Sequence, residues 1–362
     1  ASNNTAVGYA SLSANTTGAY NTAIGTYALD TNTTANHNTA IGYAAMDANT
    51  TGASNTAVGS QALDANTTAS NNDAFGYRAL TSNTTGENNT ALGRDAMYAN
   101  TTGSRNVAVG YGTLDANTTA DYNVAIGENA MTANTTGTEN VAVGALSLDA
   151  QTTSSYNVAI GHNAGGANTA DHNTFVGRYA GAANTTGANN VVVGSGAFAS
   201  NTTGSENVSV GKGSLNANTT GAQNTAVGRD AGLVNTTGGY NTVVGAYALD
   251  ANTTGNYNTA VGREALGANT TADSNTAVGR NALGVNTTGA SNTAVGATAL
   301  DANTTGANNT GIGKDALTEN TTGASNVAVG NFALNNNTTA SNNTAIGYNS
   351  MLANTTGVNN TA

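Results

Sequence analysis

Few residues in this chain could do chemistry, and their spacing narrows what kind. Histidine occurs three times, as His37, His162 and His172. Read along the sequence they fall at unrelated places, so exposed loop side chains are expected and a metal site is not. Seven aspartates, Asp30, Asp47, Asp64, Asp115, Asp149, Asp250 and Asp301, recur at one offset of a repeat. A cation ladder would need that column unbroken, and Ser13, Thr132 and Asn216 interrupt it, so solvated carboxylates are expected. Gly211-Lys212 and Gly313-Lys314 lack the glycine spacing and the following Ser or Thr of a phosphate-binding loop. No Ser, His and acid grouping repeats or clusters, which leaves nucleophilic catalysis unsupported. The expectation is a chain with no catalytic residue, no cofactor and no metal.

Asn-Thr-Thr is the acceptor pattern for N-linked sugar. It makes Asn15, Asn32, Asn49, Asn66, Asn83, Asn100, Asn117, Asn134, Asn184 and Asn201 candidate glycan acceptors. Turn chemistry and axial side-chain ladders account for the same residues without sugar, and this is the preferred reading. Tyr20, Tyr122, Tyr156, Tyr240 and Tyr257 share one offset and could stack on sugars, although surface packing explains them more simply.

These residues are set out by a 17-residue beat. Asn-Thr-Ala-Val-Gly at 4 to 8 returns as Asn-Thr-Ala-Ile-Gly at 21 to 25 and 38 to 42, giving 21 complete repeats from Asn4 with partial units at both ends. Residues 1–362 therefore read as a single array, an excerpt of a longer fibre or a subunit that meets others at its ends. One repeat, 157–172, is a residue short, and Gly165 and Gly166 lie in it with Phe175 and Phe198 after it. The rings are expected to refill volume lost with Leu.

Numbering each repeat from its Asn, position 4 is apolar throughout (Val7, Ile24, Ile41) and position 9 is mostly Leu or Met (Leu12, Leu29, Met46). Position 2 interchanges Thr and Val. Positions 2 and 4 share a face at strand period, and both are expected to point inward with position 9. Positions 1 to 5 read as one strand and 7 to 11 as a second short strand. Position 5 is Gly in every complete unit (Gly8, Gly25, Gly42), which implies a positive φ or a close backbone approach. Two strands and two turns per 17 residues make an all-β fold, a β-solenoid or parallel β-roll with one coil per repeat. A lone coil cannot offset its ordering entropy, so hydrogen bonds must run to the coils above and below. At about 4.8 Å per coil the array would form a rod roughly 100 Å long.

The units Asn123-Val124-Ala125-Ile126-Gly127 and Asn157-Val158-Ala159-Ile160-Gly161 resemble the head repeats of YadA-type trimeric autotransporter adhesins (haemagglutinin-like repeats). Asn55-Thr56-Ala57-Val58-Gly59 followed by Ala62-Leu63-Asp64-Ala65-Asn66-Thr67-Thr68 is similar to the longer repeats of phage-type fibre proteins that carry an intramolecular chaperone (peptidase S74) domain. The resemblance implies a left-handed roll packed as a homotrimer, in an extracellular, cell-surface or virion fibre that adheres to surface glycans or a host receptor. The period of 17 exceeds that of the adhesin heads, and neither neck nor stalk is found.

With 9 Lys and Arg against 20 Asp and Glu, no basic patch for phosphates is visible, which excludes nucleic acid as a partner. No apolar run is long enough for a membrane-spanning helix, and the absence of Cys rules out disulfides and thiolate metal sites. The expected function is a non-enzymatic structural or adhesive fibre whose partner is itself, as a homotrimer or an end-to-end polymer. An ice-binding solenoid is the first alternative, disfavoured because Thr at position 2 reads as buried. A glycan-coated end-to-end filament is the second.

Overall fold

The structure is a computed structural model that describes residues 2–362. It is all-β, with 21 strands of three residues, one per coil, from β1 (Thr5–Val7) to β21 (Thr344–Ile346). No helix in the described residues is long and apolar enough to cross a membrane. The coils fall into two compact units, one running to Tyr179 and the other spanning Ala180–Ala362. In the first, β1 to β11 (Thr174–Val176) form a parallel ladder; in the second, β12 (Val191–Val193) to β21 do the same. Register advances by one repeat at each step, as in Thr259↔Thr276 and Val261↔Val278. This is the β-solenoid that the repeat predicts.

The strand face is the reverse of the expected one. In every strand except β1 the middle residue, position 3, is buried, and positions 2 and 4 are not. Val7, Ile24 and Ile41 are 58%, 38% and 37% exposed, whereas Ala23 and Ala40 are fully buried. The cause is the width of the coil. Ala at positions 3 and 8, Leu or Met at position 9 and the Asn side chains fill the interior, leaving no room for a second branched column. Leu29 and Met46 are fully buried as expected, while Leu12, in the first coil, is half-buried.

The second strand is also absent. Positions 6 to 11 form a run of turns, because positions 7 and 9 adopt left-handed backbone, as at Tyr27 (φ 60°) and Leu29 (φ 51°). These two positions send their N–H groups in opposite directions along the stack. Tyr27 N donates back to Tyr9 O at 3.0 Å, and Leu29 N donates forward to Ala45 O at 3.0 Å. A left-handed L-residue costs about 1–2 kcal/mol, and axial bonding with burial of the position 9 side chain holds it there. At position 5 both expectations are met: Gly25 has φ +138°, and a Cβ would lie 2.3 Å from Gly42 O.

Position 9 of one coil packs on position 3 of the next. Leu300 approaches Gly311, and where position 9 loses its side chain, at Gly165, Gly181 and Gly232, the following position 3 grows from Ala to Phe175, Val192 and Val243. A Cβ on Gly165 would stand 2.6 Å from Phe175 Cδ2, so the ring fills the vacated volume as expected. The 16-residue coil keeps its register, with Val158 paired to Thr174.

Phe175→Ala should lose about 3–5 kcal/mol by opening a cavity. Gly165→Leu alone should also destabilise by overpacking, and the double variant should recover most of both losses. Guanidinium unfolding of the four proteins measures this coupling; additive losses would contradict the packing rule.

Candidate functional site

The sequon asparagines are structural. In the position 12 column, Asn100 Nδ2 donates to Asn83 Oδ1 at 2.8 Å and to Gly103 O at 2.9 Å, while Asn100 Oδ1 accepts from Asn117 Nδ2 at 2.7 Å. Both amide hydrogens are used, and the group is fully buried at Asn32, Asn49, Asn66, Asn83, Asn100, Asn117, Asn134, Asn184 and Asn201. These sites are therefore closed to glycan attachment in the folded chain, since a sugar on Nδ2 would displace a ladder bond and occupy the next coil. Asn15, in the first coil, is half-buried and donates to Gly18 O at 3.0 Å. Position 13 threonines extend the ladder, as when Thr50 Oγ1 donates to Thr67 O at 2.9 Å, whereas position 14 residues such as Thr34 and Thr51 are exposed.

What each unit presents to solvent is the outer face of its sheet. Position 4 supplies a continuous apolar column, with Leu92 49%, Ile160 42% and Val193 38% exposed. Beside it runs the Thr and Val column of position 2, in which Asp73 is the one charged residue. Sequence reading missed this face because it judged the side chains by hydrophobicity, when the narrow interior selects by size.

It also missed how charge is distributed. Seven of the nine cations occupy position 6, immediately beyond the Gly that ends the strand: Arg94, Arg178, Lys212, Arg229, Arg263, Arg280 and Lys314. All seven are exposed. Ahead of the strand, the last two residues of each coil carry Glu87, Asp121, Glu139, Asp171, Glu206 and Asp273. Arg105 and Glu128 are the exceptions to each rule. The total charge hid an apolar face with a basic edge and an acidic edge, and counting by repeat position would have found both. Four of the seven pair with the acid that directly follows them, Arg94 with Asp95, Arg229 with Asp230, Lys314 with Asp315, and Arg263 Nη2 with Glu264 Oε1 at 2.7 Å, yet the Arg263 side chain remains 64% exposed. Pairs of this kind contribute little to stability and leave the cation free to re-pair.

The histidines are less scattered than their numbers suggest. His37 and His172 both directly precede a position 1 Asn, and the short coil had hidden this equivalence. Each stacks on a tyrosine one coil earlier, His37 on Tyr20 at 5.0 Å and His172 on Tyr156 at 4.9 Å between ring centroids. His162 meets Tyr179 edge-on. Tyr240 stacks on Tyr257 in the same column, and Arg105 lies over Tyr122, so these rings pack on neighbours along the surface. Among the described residues, no group of three or more His, Asp or Glu could hold a metal ion.

The position 10 aspartates are half-buried rather than fully solvated. Burial raises the Asp47 carboxyl above its ordinary value, with a further push from Asp30, and raises Asp64 with a push from Asp47. Burial likewise raises Asp115, Asp149, Asp250 and Asp301. A carboxyl with a raised folded pKa opposes folding while ionised. Its penalty is full above the folded pKa and vanishes as pH falls below the ordinary 3.8. Asp47→Asn with Asp64→Asn should therefore raise the denaturation midpoint at pH 7, and this advantage over the parent should shrink steadily towards pH 4. A pH-independent difference between the two proteins would contradict the assignment.

Compared with known proteins, the chain matches no family model and no curated protein.

Proposed function

We propose that the chain is a structural, non-enzymatic stretch of an extracellular or virion fibre, in which copies associate through the outer sheet face. The observation that carries the reading is the composition of that face: an apolar column in register along each unit, flanked on one side by position 6, where the cations gather, five of the seven in the second unit, and on the other by the coil ends, where acids gather, four of the six in the first. Contiguous apolar surface of this kind marks an interaction site, and its covering by a second copy removes Val and Ile side chains from water.

The edges favour one arrangement. Copies related by rotation about the stacking axis bring the basic edge of one against the acidic edge of the next. Copies packed face to face with their axes reversed bring like charges together. The reading is thus a parallel, cyclic homo-oligomer, consistent with the trimer that the adhesin resemblance implies. The extracellular location and adhesion to a glycan or receptor come from that resemblance alone. The glycan-coated filament loses support, because its Asn acceptors are buried.

A second reading gains from the outward strand face. Thr225, Thr242, Thr259, Thr276, Thr293 and Thr310 form a regular exposed or half-exposed column beside branched apolar residues, which is the kind of lattice an ice-binding surface needs. Self-association is preferred because it also uses the charged edges.

Sedimentation equilibrium at micromolar concentration should give a closed oligomer that weakens with salt. Val261→Lys, Val278→Lys and Val295→Lys together should yield a monomer with an unchanged far-UV spectrum. A monomeric parent protein would overturn the proposal, and thermal hysteresis in that monomer would select the ice-binding reading.

A further inference from the structure

The column that ends each coil, position 17, holds one arrangement found nowhere else along it. Five successive members are Arg105, Tyr122, Glu139, Tyr156 and His172, so two tyrosines stand two coils apart with a carboxylate on the coil between. Elsewhere the aromatic residues of this column occupy adjacent coils, Tyr20 beside His37 and Tyr240 beside Tyr257. Tyr122, Glu139 and Tyr156 share one left-handed backbone, with φ 59°, 57° and 62°. Each gives its N–H to a carbonyl of the preceding coil at 3.2 Å, those of Ser104, Asp121 and Thr138. Their Cα–Cβ bonds therefore leave the stack in one direction.

Each of the two rings has its outer face covered by a neighbour. The Arg105 guanidinium, one coil earlier, lies over Tyr122 at 5.2 Å from its centroid, and His172, one coil later, stacks on Tyr156 at 4.9 Å and 5°. The stacking distance matches one coil spacing, so the rings lie across the axis and their inner faces look towards each other, about 10 Å apart at two spacings. Tyr122 and Tyr156 are 52% and 49% exposed. At this height Tyr122, Glu139 and Val141 line a surface depression of about 530 Å³. The Glu139 carboxylate is exposed and, among the described residues, has neither a hydrogen bond nor an ion pair.

These groups select a cation with an apolar body. A charge centred between the rings would stand about 5 Å from both centroids, inside the ~6 Å reach of a cation–π contact. An exposed counter-charge and the Val141 methyls lie beside it. No Lys or Arg lines the depression, and the one such residue of the column, Arg105, is on the far side of Tyr122. In the cyclic arrangement, position 6 of a neighbouring copy offers Glu128, Ala145 and His162 at this height, so its basic edge leaves Glu139 unanswered. A lysine-type ammonium is strongly hydrated, whereas an alkylated one presents methyl groups to ring faces. We propose that the slot between Tyr122 and Tyr156 binds a trimethylammonium group, whose methyls meet the rings and whose charge meets Glu139. The site rests on position 17 and does not depend on association through position 4.

Saturation-transfer NMR of choline with the full chain tests this. Its methyl singlet should receive transfer and a titration should saturate, while the neutral tert-butyl analogue of choline should bind roughly fivefold or more weakly. Tyr122→Asn, Tyr156→Asn and Glu139→Gln introduce residue types that the column carries elsewhere, at Asn71 and Gln223. Each should weaken choline by roughly three- to tenfold with an unchanged far-UV spectrum, and Tyr257→Asn should leave binding as it is. Pelleting of the chain with phosphatidylcholine vesicles would assign the group to a lipid headgroup; choline binding by a chain that stays in the supernatant would assign it to a free solute. The proposal is overturned if choline does not bind, if the tert-butyl analogue or methylammonium binds as tightly, or if Tyr257→Asn weakens binding as much as Tyr122→Asn.

Discussion

In most coils one backbone carbonyl, that of position 15, accepts the side-chain amides of two asparagines, and the rest of the coil is arranged around it. Asn38 Nδ2 reaches Gly52 O at 2.8 Å from just ahead of the strand, and Asn49 Nδ2 reaches the same atom at 3.0 Å from three residues earlier in the chain. The remaining valences run along the stack. Asn38 Oδ1 accepts the backbone N–H of Asn55 at 2.9 Å, and Asn49 Oδ1 accepts Asn66 Nδ2 at 2.8 Å. Each amide therefore closes its own coil and fixes the height of the next. In a dry interior these groups are costly unless fully paired, so the pairing that satisfies them also dictates which residues can stand opposite each other.

The sequence disclosed the parts of the fold that repeat by type and concealed those that depend on sign. The period, the Gly at position 5, the Leu column and the Asn ladders all follow from residues that have one good use in a stacked coil. Strand alternation at positions 2, 3 and 4 was equally legible, but its sense was not. Hydrophobicity ranks Val and Ile above Ala for the interior, whereas the interior is too narrow to hold a β-branched column beside the Leu column, and Ala23 takes the place that Ile24 was expected to fill. The run from position 6 to 11 was concealed for a different reason. Leu29 and Tyr27 are poor left-handed residues by propensity, and only bonds to adjacent coils make that backbone favourable.

The candidate surface was hidden in a similar way. Nine cations in 362 residues look sparse when summed, yet seven of them share one repeat position once position is considered. His37 and His172 looked unrelated because a deletion lies between the start of the short coil and its last residue.

The short coil at 157–172 shows that length and pairing are separable in this architecture. The strand before it and the strand after it stay aligned although a residue is missing, because alignment is counted from Asn157 and Asn173, with Asn173 N donating to Asn157 Oδ1 at 2.9 Å. The Asn-Thr-Thr corner absorbs the difference. Mutational slippage at that corner changes the outline of a single coil without rephasing its neighbours, so an array of this kind can diversify its surface one corner at a time while its interior is inherited intact.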